Sequence, residues 1–375
     1  MRIAMISTPF LSVPPSTYGG TERVVHELVE GLVARGHDVT LFATGDSRTS
    51  ARLAFTYRTP QWPPSQLPDV NHVCWAMGEV ARGGFDIVHA HSAIALALAR
   101  FVPQLPLVYT LHHERDESLS AFYRDNHDAH FVAISHDQAG REIALPSLTV
   151  IHHGLDPAAF QCTCRPADYV CFIGRLSSFK GPHTAIDVAC EAGVPIRVAG
   201  EIHDEDGPFG RAEVLPRLSQ PHVRHLGNIG MIEKVPLLRD ARALLAPIAW
   251  HEPFGLVLIE AMLSGCPVIA FGLGSVPELV EDDITGYVVR SACEMADLIR
   301  PGSILDDFDR ARCRARAVER FGRARMVADH ERLYTRVAAR APAWRESTAA
   351  SRSGAGVTAR AAWSRGATEL PRGSR

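Results

Sequence analysis

The chain has 375 residues, 46% of them hydrophobic, which is enough for two or three domains with substantial cores. The formal net charge of −3 gives no reason to expect nucleic acid as a partner, and no run approaches about 18 uninterrupted apolar residues, which excludes a membrane-spanning helix. The first residues are typical of a strand and not of a signal peptide, so we expect a cytoplasmic protein.

The charge is unevenly distributed along the chain. Residues 338–375 hold seven arginines and two glutamates, a net charge of +5, which leaves −8 for the rest. This segment is rich in Ala, Arg, Ser and Gly and has few apolar anchors, so we expect a disordered tail with at most a peripheral contact to a membrane.

The first half of the chain alternates short apolar strands with helices. This alternation predicts a parallel sheet covered by helices on both faces. Ligands of such sheets bind at the carboxyl ends of strands, where His91, His112 and His113 lie. His89 and His91 could also form a metal pair, but no third ligand is evident and we reject that interpretation. The predicted strands span residues 2–7, 38–43, 86–91, 107–112, 131–135 and 148–153, and the predicted helices include 21–35, 71–82 and 93–101.

A proline-rich loop follows the first predicted strand and ends at Gly19 and Gly20, just before a predicted helix. Glycine allows the backbone to approach a ligand closely, and a helix N-terminus favours negative charge. The pattern is not G-x-G-x-x-G, so it does not support a dinucleotide site. Residues 154–168 then lose the alternation and are typical of a linker between domains.

The second half repeats the alternation, and two cations stand on its first strand-to-helix loop. Arg175 and Lys180 are five residues apart and could both turn toward one diphosphate, Arg as a fork and Lys as a point charge. Lysine occurs only twice in the chain, at Lys180 and Lys234. Further strands are predicted at 169–174, 196–199, 223–226, 243–247, 267–271 and 286–289, with helices at 182–192, 276–281 and 306–337, the last broken near Phe321 and Gly322.

Two glutamates eight positions apart, Glu252 and Glu260, stand on either side of a predicted helix start. Proline at the first helical position favours helix entry, so we expect the helix to begin at Pro253 or Phe254. Glu260 then falls in an almost wholly apolar helix, where an unpaired carboxylate would be very costly, and needs a partner. Free backbone N–H groups at this helix start offer a seat for a phosphate.

The segment from Glu252 to Glu260 resembles the E-x7-E motif of retaining GT-B glycosyltransferases of family 4. Residues 264–270, 274–280 and 285–289 are also similar to that family, and the resemblance covers about residues 1–337. It implies an α/β GT-B fold, in which two Rossmann-like domains with parallel sheets face a central cleft. The implied parts are an acceptor domain at 1–160, a nucleotide-sugar donor domain at 161–305, helices at 306–337 that cross back to the first domain, and the basic tail at 338–375.

The resemblance also implies an activity, the transfer of a hexose from a nucleotide-diphosphate sugar to a hydroxyl acceptor with retention of anomeric configuration. In this interpretation His112 and Glu252 are the catalytic residues; His112, with His113 as its neighbouring candidate, contacts the transferred sugar. Glu252 would bind hexose hydroxyls and Glu260 the ribose hydroxyls. The other implied donor-binding residues are Gly19, Gly20, Arg175, Lys180, Ile229, Phe254, Gly255 and Leu256.

A metal is not expected. Asp307-x-Asp309, in a predicted late helix, is the Asp-x-Asp that we identify, and the cations could neutralise the leaving diphosphate in place of a metal. No cofactor is expected besides the nucleotide-sugar co-substrate, for which UDP-glucose, UDP-N-acetylglucosamine and GDP-mannose all stay open. The acceptor could be a sugar, a lipid-linked sugar or a small metabolite.

Two alternatives to a glycosyltransferase remain. The first is another GT-B enzyme, either a nucleotide-sugar epimerase or a phosphorylase, although neither lysine is suitably placed for the pyridoxal group of a phosphorylase. The second is a module that binds a nucleotide sugar without catalysis.

Overall fold

The computed structural model describes residues 1–17, 19–102 and 105–340. Two α/β domains follow each other along the chain, each built on one parallel sheet with helices packed against it. The predicted fold class, two Rossmann-like domains, is confirmed. Tyr18 and nearly all of the basic tail lie outside the described residues.

The first domain contains a seven-stranded sheet in the order β3-β2-β1-β4-β5-β6-β7. Its strands are β1 (Arg2–Ile6), β2 (Asp38–Phe42), β3 (Arg52–Ala54), β4 (Ile87–Ala90), β5 (Leu107–Thr110), β6 (His130–Ala133) and β7 (Leu148–Val150). Its helices are α1 (Gly20–Ala34), α2 (Gln66–Gly83), α3 (Ile94–Ala99), α4 (Glu117–Asp125) and α5 (His136–Arg141).

Strand β1 shows why the central strands are continuous apolar runs. Successive side chains of a strand point to opposite faces of the sheet. Ile3 and Met5 pack with residues of α1, whereas Ala4 and Ile6 pack with residues of α2 on the other face. Because helices cover both faces, every position of this strand after Arg2 is buried.

The second domain contains a six-stranded sheet in the order β10-β9-β8-β11-β12-β13. Its strands are β8 (Val170–Ile173), β9 (Ile196–Ala199), β10 (Val223–His225), β11 (Leu244–Ala246), β12 (Val268–Phe271) and β13 (Gly286–Val289). Its helices are α6 (Pro182–Ala192), α7 (Gly207–Phe209), α8 (Leu215–Leu218), α9 (Met231–Asp240), α10 (Leu256–Leu263), α11 (Val276–Leu279) and α12 (Ala292–Ile299).

The strand order of each sheet reverses beside its first strand. Strand β1 lies between β2 and β4, and β8 lies between β9 and β11. Open parallel sheets bind their ligands at the carboxyl ends of the strands next to such a reversal. In the first domain the segments that follow these strands carry Gly19 and His91, and in the second domain they carry Arg175 and Glu252.

Two C-terminal helices connect the domains. Helix α13 (Arg310–Phe321) packs on the second domain, and α14 (Arg323–Arg340) lies on the first, where its apolar residues join the core around α1. The predicted break falls at Gly322, between the two helices. Arg323 begins α14 with an ion pair to Glu27 at 2.6 Å, which attaches the helix to α1.

The structure shifts several predicted boundaries and adds elements that were not predicted; helix α2, for example, begins at Gln66 and not near residue 71. Helix α10 begins at Leu256 and not at Pro253 or Phe254, because Gly255 takes a left-handed conformation with φ of 79° and directs the chain into the helix only after it. The short edge strand β3 and helix α9 were not predicted. Within the described part of the chain, no helix is both long and apolar enough to cross a membrane.

Candidate active site

A cleft of about 530 Å³ lies between the two domains, at the carboxyl ends of their strands. Ile229 is the predicted site residue that does not line it; that side chain is buried and borders a neighbouring pocket, which shares Thr17, Arg175 and Lys234 with the cleft. The structure therefore brings the predicted residues together from both domains, while their roles stay predictions. The predicted residues that line the cleft are Gly19, Gly20, His112, Arg175, Lys180, Glu252, Phe254, Gly255, Leu256 and Glu260.

Glu252 is held by two donors from its own domain. Its carboxylate accepts a short hydrogen bond from Lys180 Nζ and a second one, at 3.0 Å, from Trp250 Nε1. Lys180 Nζ also lies 4.8 Å from the centre of the Trp250 ring, a cation–π contact. Each of the three side chains contacts the other two, so the orientation of the Glu252 carboxylate is fixed before a ligand binds.

The backbone around Glu252 is fixed as well. Ser275 donates its backbone N–H to the carbonyl oxygen of Glu252 at 2.9 Å. Gly274, with φ of 60°, passes so close that a Cβ there would lie 2.3 Å from the backbone nitrogen of Glu252. Only glycine fits this crossing, which locks the loop in front of α10.

Glu260 has the partner that its burial demands. Lys234 Nζ lies 3.0 Å from both carboxylate oxygens of Glu260, and the Glu260 residue is only 3% exposed. Lys234 comes from α9, the helix that was not predicted, and sequence reasoning gave this lysine no role. The rarity of lysine in this chain was the sequence signal that could have indicated Lys234. Both lysines lie in the cleft, and each one pairs with one of the two glutamates.

Arg175 is not free in this structure. Its guanidinium makes a short ion pair with Asp206 and a second one, at 2.7 Å, with Glu205. It also lies over the ring of Phe179 at 5.4 Å. Asp206 belongs to a second Asp-x-Asp, Asp204-x-Asp206, which the search for metal-binding carboxylates missed. Asp206, the second aspartate of that motif, forms the ion pair with Arg175 and holds its guanidinium in place.

The N-terminus of α10 faces the cleft between the two glutamates. Gly255 and Leu256 line the cleft, and the first turn of any helix leaves backbone N–H groups without partners inside the helix. These groups and the helix dipole favour an anion at this point. Gly19 and Gly20 face them from the start of α1, where a Cβ on Gly19 would lie 2.8 Å from Leu11 Cδ1.

The first domain contributes two uncharged histidines to the cleft, beside Arg23 of α1, which is paired with Glu27 at 2.8 Å. Burial lowers the pKa of His112 to about 3 and lowers the pKa of His153 well below its usual range. The two rings stack, with centroids 5.6 Å apart, and His153 makes an edge contact with Phe254 of the other domain at 4.9 Å. His113 turns away from the cleft, since its Nε2 lies 3.1 Å from the hydroxyl of Tyr123. Of the two adjacent histidines, His112 is therefore the one that can meet a ligand.

One group among the described residues could hold a metal ion. His136, His152 and Glu278 offer ligand atoms within 4.8 Å of one another. Both oxygens of Glu278 already accept hydrogen bonds, from the backbone N–H groups of His136 and Asp137 at 2.8 and 3.1 Å, and His152 Nε2 lies 3.0 Å away. Burial opposes ionisation of Glu278, but these hydrogen bonds outweigh it and lower its pKa. We call this group the interdomain clasp, because Glu278 belongs to the second domain and its partners to the first.

Comparison with known proteins gives two family models that match the chain one after the other. Residues 18–159 match Glycosyltransferase Family 4, and residues 166–307 match Glycosyl transferases group 1. The chain is 28% identical to a glycogen synthase of Mycobacterium tuberculosis (strain CDC 1551 / Oshkosh) over 392 residues, which covers 88% of this chain and 91% of that relative.

Solved structures share the fold. The crystal structure of AviGT4, a glycosyltransferase involved in avilamycin A biosynthesis, is 24% identical with a TM-score of 0.70 and covers 91% of this chain and 99% of its own. The Anabaena protein HepE in complex with UDP and glucose is 20% identical with a TM-score of 0.69 and covers 88% and 99%. The chain has the GT-B fold and belongs to the group 1 glycosyltransferases of family 4.

Proposed function

We propose that the protein transfers a hexose from a nucleotide-diphosphate sugar to a hydroxyl acceptor, with retention of configuration and without a metal ion. The observation that carries the proposal is the pairing in one cleft of Lys180 with Glu252 and of Lys234 with Glu260. Each pair combines a cation suited to phosphate with a carboxylate suited to sugar hydroxyls. The HepE complex with UDP and glucose, which has the same fold, supports a donor of this class.

In the proposed reaction the second domain stabilises the leaving group. Lys180, Arg175 and the N-terminus of α10 border the same space, where a leaving diphosphate would meet fixed positive charge and backbone N–H groups. Arg175 would keep Asp206 as its positioning partner and offer its remaining N–H groups to the diphosphate. With this charge in place, the proposed site needs no divalent cation.

The bond changes follow from this arrangement. The bond between the anomeric carbon and the diphosphate oxygen breaks, and a bond between that carbon and the acceptor oxygen forms. The acceptor loses its proton to the leaving diphosphate, which departs from the same face that the acceptor enters. Glu252 would hold hexose hydroxyls during this step and Glu260 the ribose hydroxyls, in keeping with the family resemblance.

A glycosidase-type mechanism fits the two glutamates less well. Retaining glycosidases place two carboxyl groups about 5 to 5.5 Å apart, on either side of the bond that breaks. Here each carboxylate is neutralised by its own lysine, and the two are separated by the first turn of α10. They are therefore suited to binding and not to forming a covalent sugar intermediate.

The alternatives make different demands on the same residues. A phosphorylase would need a lysine free to form a Schiff base with pyridoxal phosphate, whereas both lysines here are bound to glutamates. A binding module without catalysis would take up the nucleotide sugar but release no transferred product.

The test combines binding with product analysis. Calorimetry against UDP-glucose, UDP-N-acetylglucosamine and GDP-mannose, in the presence of EDTA, should give one clearly preferred donor. Mass spectrometry of reactions with sugar, lipid-linked sugar and small-metabolite acceptors should then show a hexose added, and NMR should show the anomeric configuration of the donor. Inverted product, or activity that disappears with EDTA and returns with Mg²⁺, would refute the corresponding part of the proposal.

A further inference from the structure

Behind His112 lies a second histidine that does not line the cleft. His91, at the end of β4, is 6% exposed, and its Nδ1 lies 2.7 Å from Nε2 of His112. On its other side, Nε2 of His91 lies 3.2 Å from the sulfur of Met5 on β1. Met5, His91 and His112 thus form a row from the core of the first domain to the wall of the cleft.

The hydrogen bonds along this row have a fixed direction of donation, because a thioether sulfur can only accept a hydrogen bond. The proton of the His91 ring must therefore sit on Nε2, where it points to Met5. Since burial lowers the pKa of His91 well below its usual range, the ring carries a single proton and its Nδ1 is an acceptor. Nε2 of His112 must then be the donor in the 2.7 Å contact.

A proton on Nε2 of His112 determines what the other nitrogen of this ring presents to the cleft. A neutral imidazole with its proton on Nε2 has a lone pair on Nδ1. Nδ1 of His112 makes no hydrogen bond with the described residues, and the side chain borders the cleft. Stacking on His153, with the ring planes 21° apart, holds the orientation of the ring.

We propose that Met5 and His91 are positioning residues that fix His112 as a hydrogen-bond acceptor for one hydroxyl of the transferred sugar. This inference rests on the proposed function and adds a rule to it. The preferred hexose must carry a hydroxyl that donates a hydrogen bond to His112. A substituent that cannot donate a hydrogen bond is disfavoured at that position of the sugar.

The tautomer is measurable without any substrate. In protein labelled with ¹⁵N-histidine, long-range ¹H–¹⁵N correlation spectra should show the proton of His112 on Nε2 and an unprotonated Nδ1. His91→Asn, whose amide oxygen can take the place of Nδ1, should keep that proton in slow exchange with water, whereas His91→Leu should lose it. A wild-type spectrum with the proton on Nδ1 of His112 would overturn the inference.

Kinetics test the consequence for the sugar. His91→Leu removes one buried hydrogen bond and should lower kcat about tenfold with little change in the KM of the donor, and His91→Asn should recover most of that loss. Thermal unfolding of both variants separates this effect from a loss of folded protein. A purely structural role of His91 would leave kcat per folded molecule unchanged in both variants, which would contradict the proposal.

Donors in which one hydroxyl at a time is replaced by fluorine complete the test, because fluorine cannot donate. One position should show about a tenfold loss with the wild-type protein and little loss with His91→Leu. Equal rates with all fluorinated donors would overturn the inference while leaving the glycosyltransferase intact. If no nucleotide sugar is turned over at all, the proposed function fails, and the NMR result still decides the tautomer.

Discussion

The two walls of the cleft differ in chemistry. The second domain presents cations and carboxylates, paired as Lys180 with Glu252, Lys234 with Glu260 and Arg175 with Asp206. The first domain presents one cation, Arg23, which is paired with Glu27, and two histidines, His112 and His153, which burial keeps uncharged at neutral pH.

In the proposed function this difference divides the work between the domains. In the charged wall each cation is already fixed by a carboxylate, so its direction is set before the diphosphate binds and little reorganisation is needed. On the first-domain wall Arg23 lines the cleft as a cation already paired with Glu27, whereas in the proposed function His112 offers the sugar a hydrogen bond of defined direction. We infer that affinity for the donor comes mainly from the second domain and alignment of the hexose from the first.

The largest expected effect comes from removing a charge from the charged wall. Lys180→Met takes away a cation and leaves Trp250 as the side-chain donor to Glu252 among the described residues, so kcat/KM should fall roughly 10²- to 10³-fold. Lys180→Arg keeps the charge and should recover part of the activity. Steady-state kinetics with the preferred donor provides the measurement, and a Lys180→Met variant within a factor of three of the wild type would remove this lysine from the mechanism.

The two glutamates of the charged wall should differ in what they affect. Glu260→Ala removes the proposed ribose contact and should weaken donor binding about 10- to 100-fold, whereas Glu252→Ala should mainly lower turnover. Calorimetry gives the first quantity and single-turnover rates give the second. Glu260→Gln, which keeps the shape and loses the charge, is the matched control. Donor affinity equal to that of the wild type in Glu260→Ala would exclude Glu260 from the site.

Buried histidines in and behind the first-domain wall should appear in the pH dependence of stability. Burial lowers the pKa of His330, which packs behind His89, from 6.5 to about 4. Between these values the unfolded chain binds a proton that the folded protein does not, so stability is complete above pH 6.5 and is lost as the pH falls. At pH 5 the loss is about 2 kcal/mol for such a histidine. Burial lowers the pKa values of eight further described histidines in the same direction: His26, His72, His89, His91, His112, His113, His153 and His183.

Denaturant unfolding between pH 5 and 7 measures this loss. His330→Phe should make the pH dependence shallower, because one of the contributing groups is gone. His127→Phe, at an exposed position, should leave the slope unchanged. A free energy of unfolding that does not vary over this range would show that the buried histidines accept protons without unfolding.

The smallest expected effect concerns how the two walls are held together. Glu278→Gln weakens the interdomain clasp to His152 and α5, so the donor KM should rise a few-fold and the radius of gyration without ligand should increase slightly. Small-angle scattering and kinetics measure the two quantities. Glu281→Gln is a suitable control, because Glu281 pairs with Arg316 and Arg320 within the same half of the molecule. Identical scattering and kinetics for both variants would argue against the clasp.

The fold could be predicted from the sequence wherever local patterns decide the structure. Strands such as Ile196–Ala199 and Gly286–Val289 were placed without error because they are short, mostly apolar runs with proline, glycine or polar residues at their ends. Helix α9 was missed because Pro236 lies inside it, and proline normally argues against a helix interior. The start of α10 was misplaced because the backbone angle of Gly255 depends on how its loop packs.

Most residues of the candidate site could be predicted from the sequence, but the contacts between them could not. Motif spacing led to Glu252 and Glu260, and burial demanded a partner for Glu260. Lys234 could not be assigned, since it is 26 residues away and reaches Glu260 only through the packing of two helices. His91 was rejected as a metal ligand and given no other role, because its contacts lie on two neighbouring strands of the folded sheet.

The two lysines have a practical consequence for anyone who handles this protein. Apart from the N-terminus, Lys180 and Lys234 carry the only primary amines in the sequence, and both are in the cleft. Reagents that attack amines modify many surface lysines in most proteins, whereas in this chain the two lysine targets both lie in the cleft. Coupling through a lysine to a sensor chip or a dye would block the cleft, and attachment through exposed cysteines such as Cys74 or Cys190 would spare it.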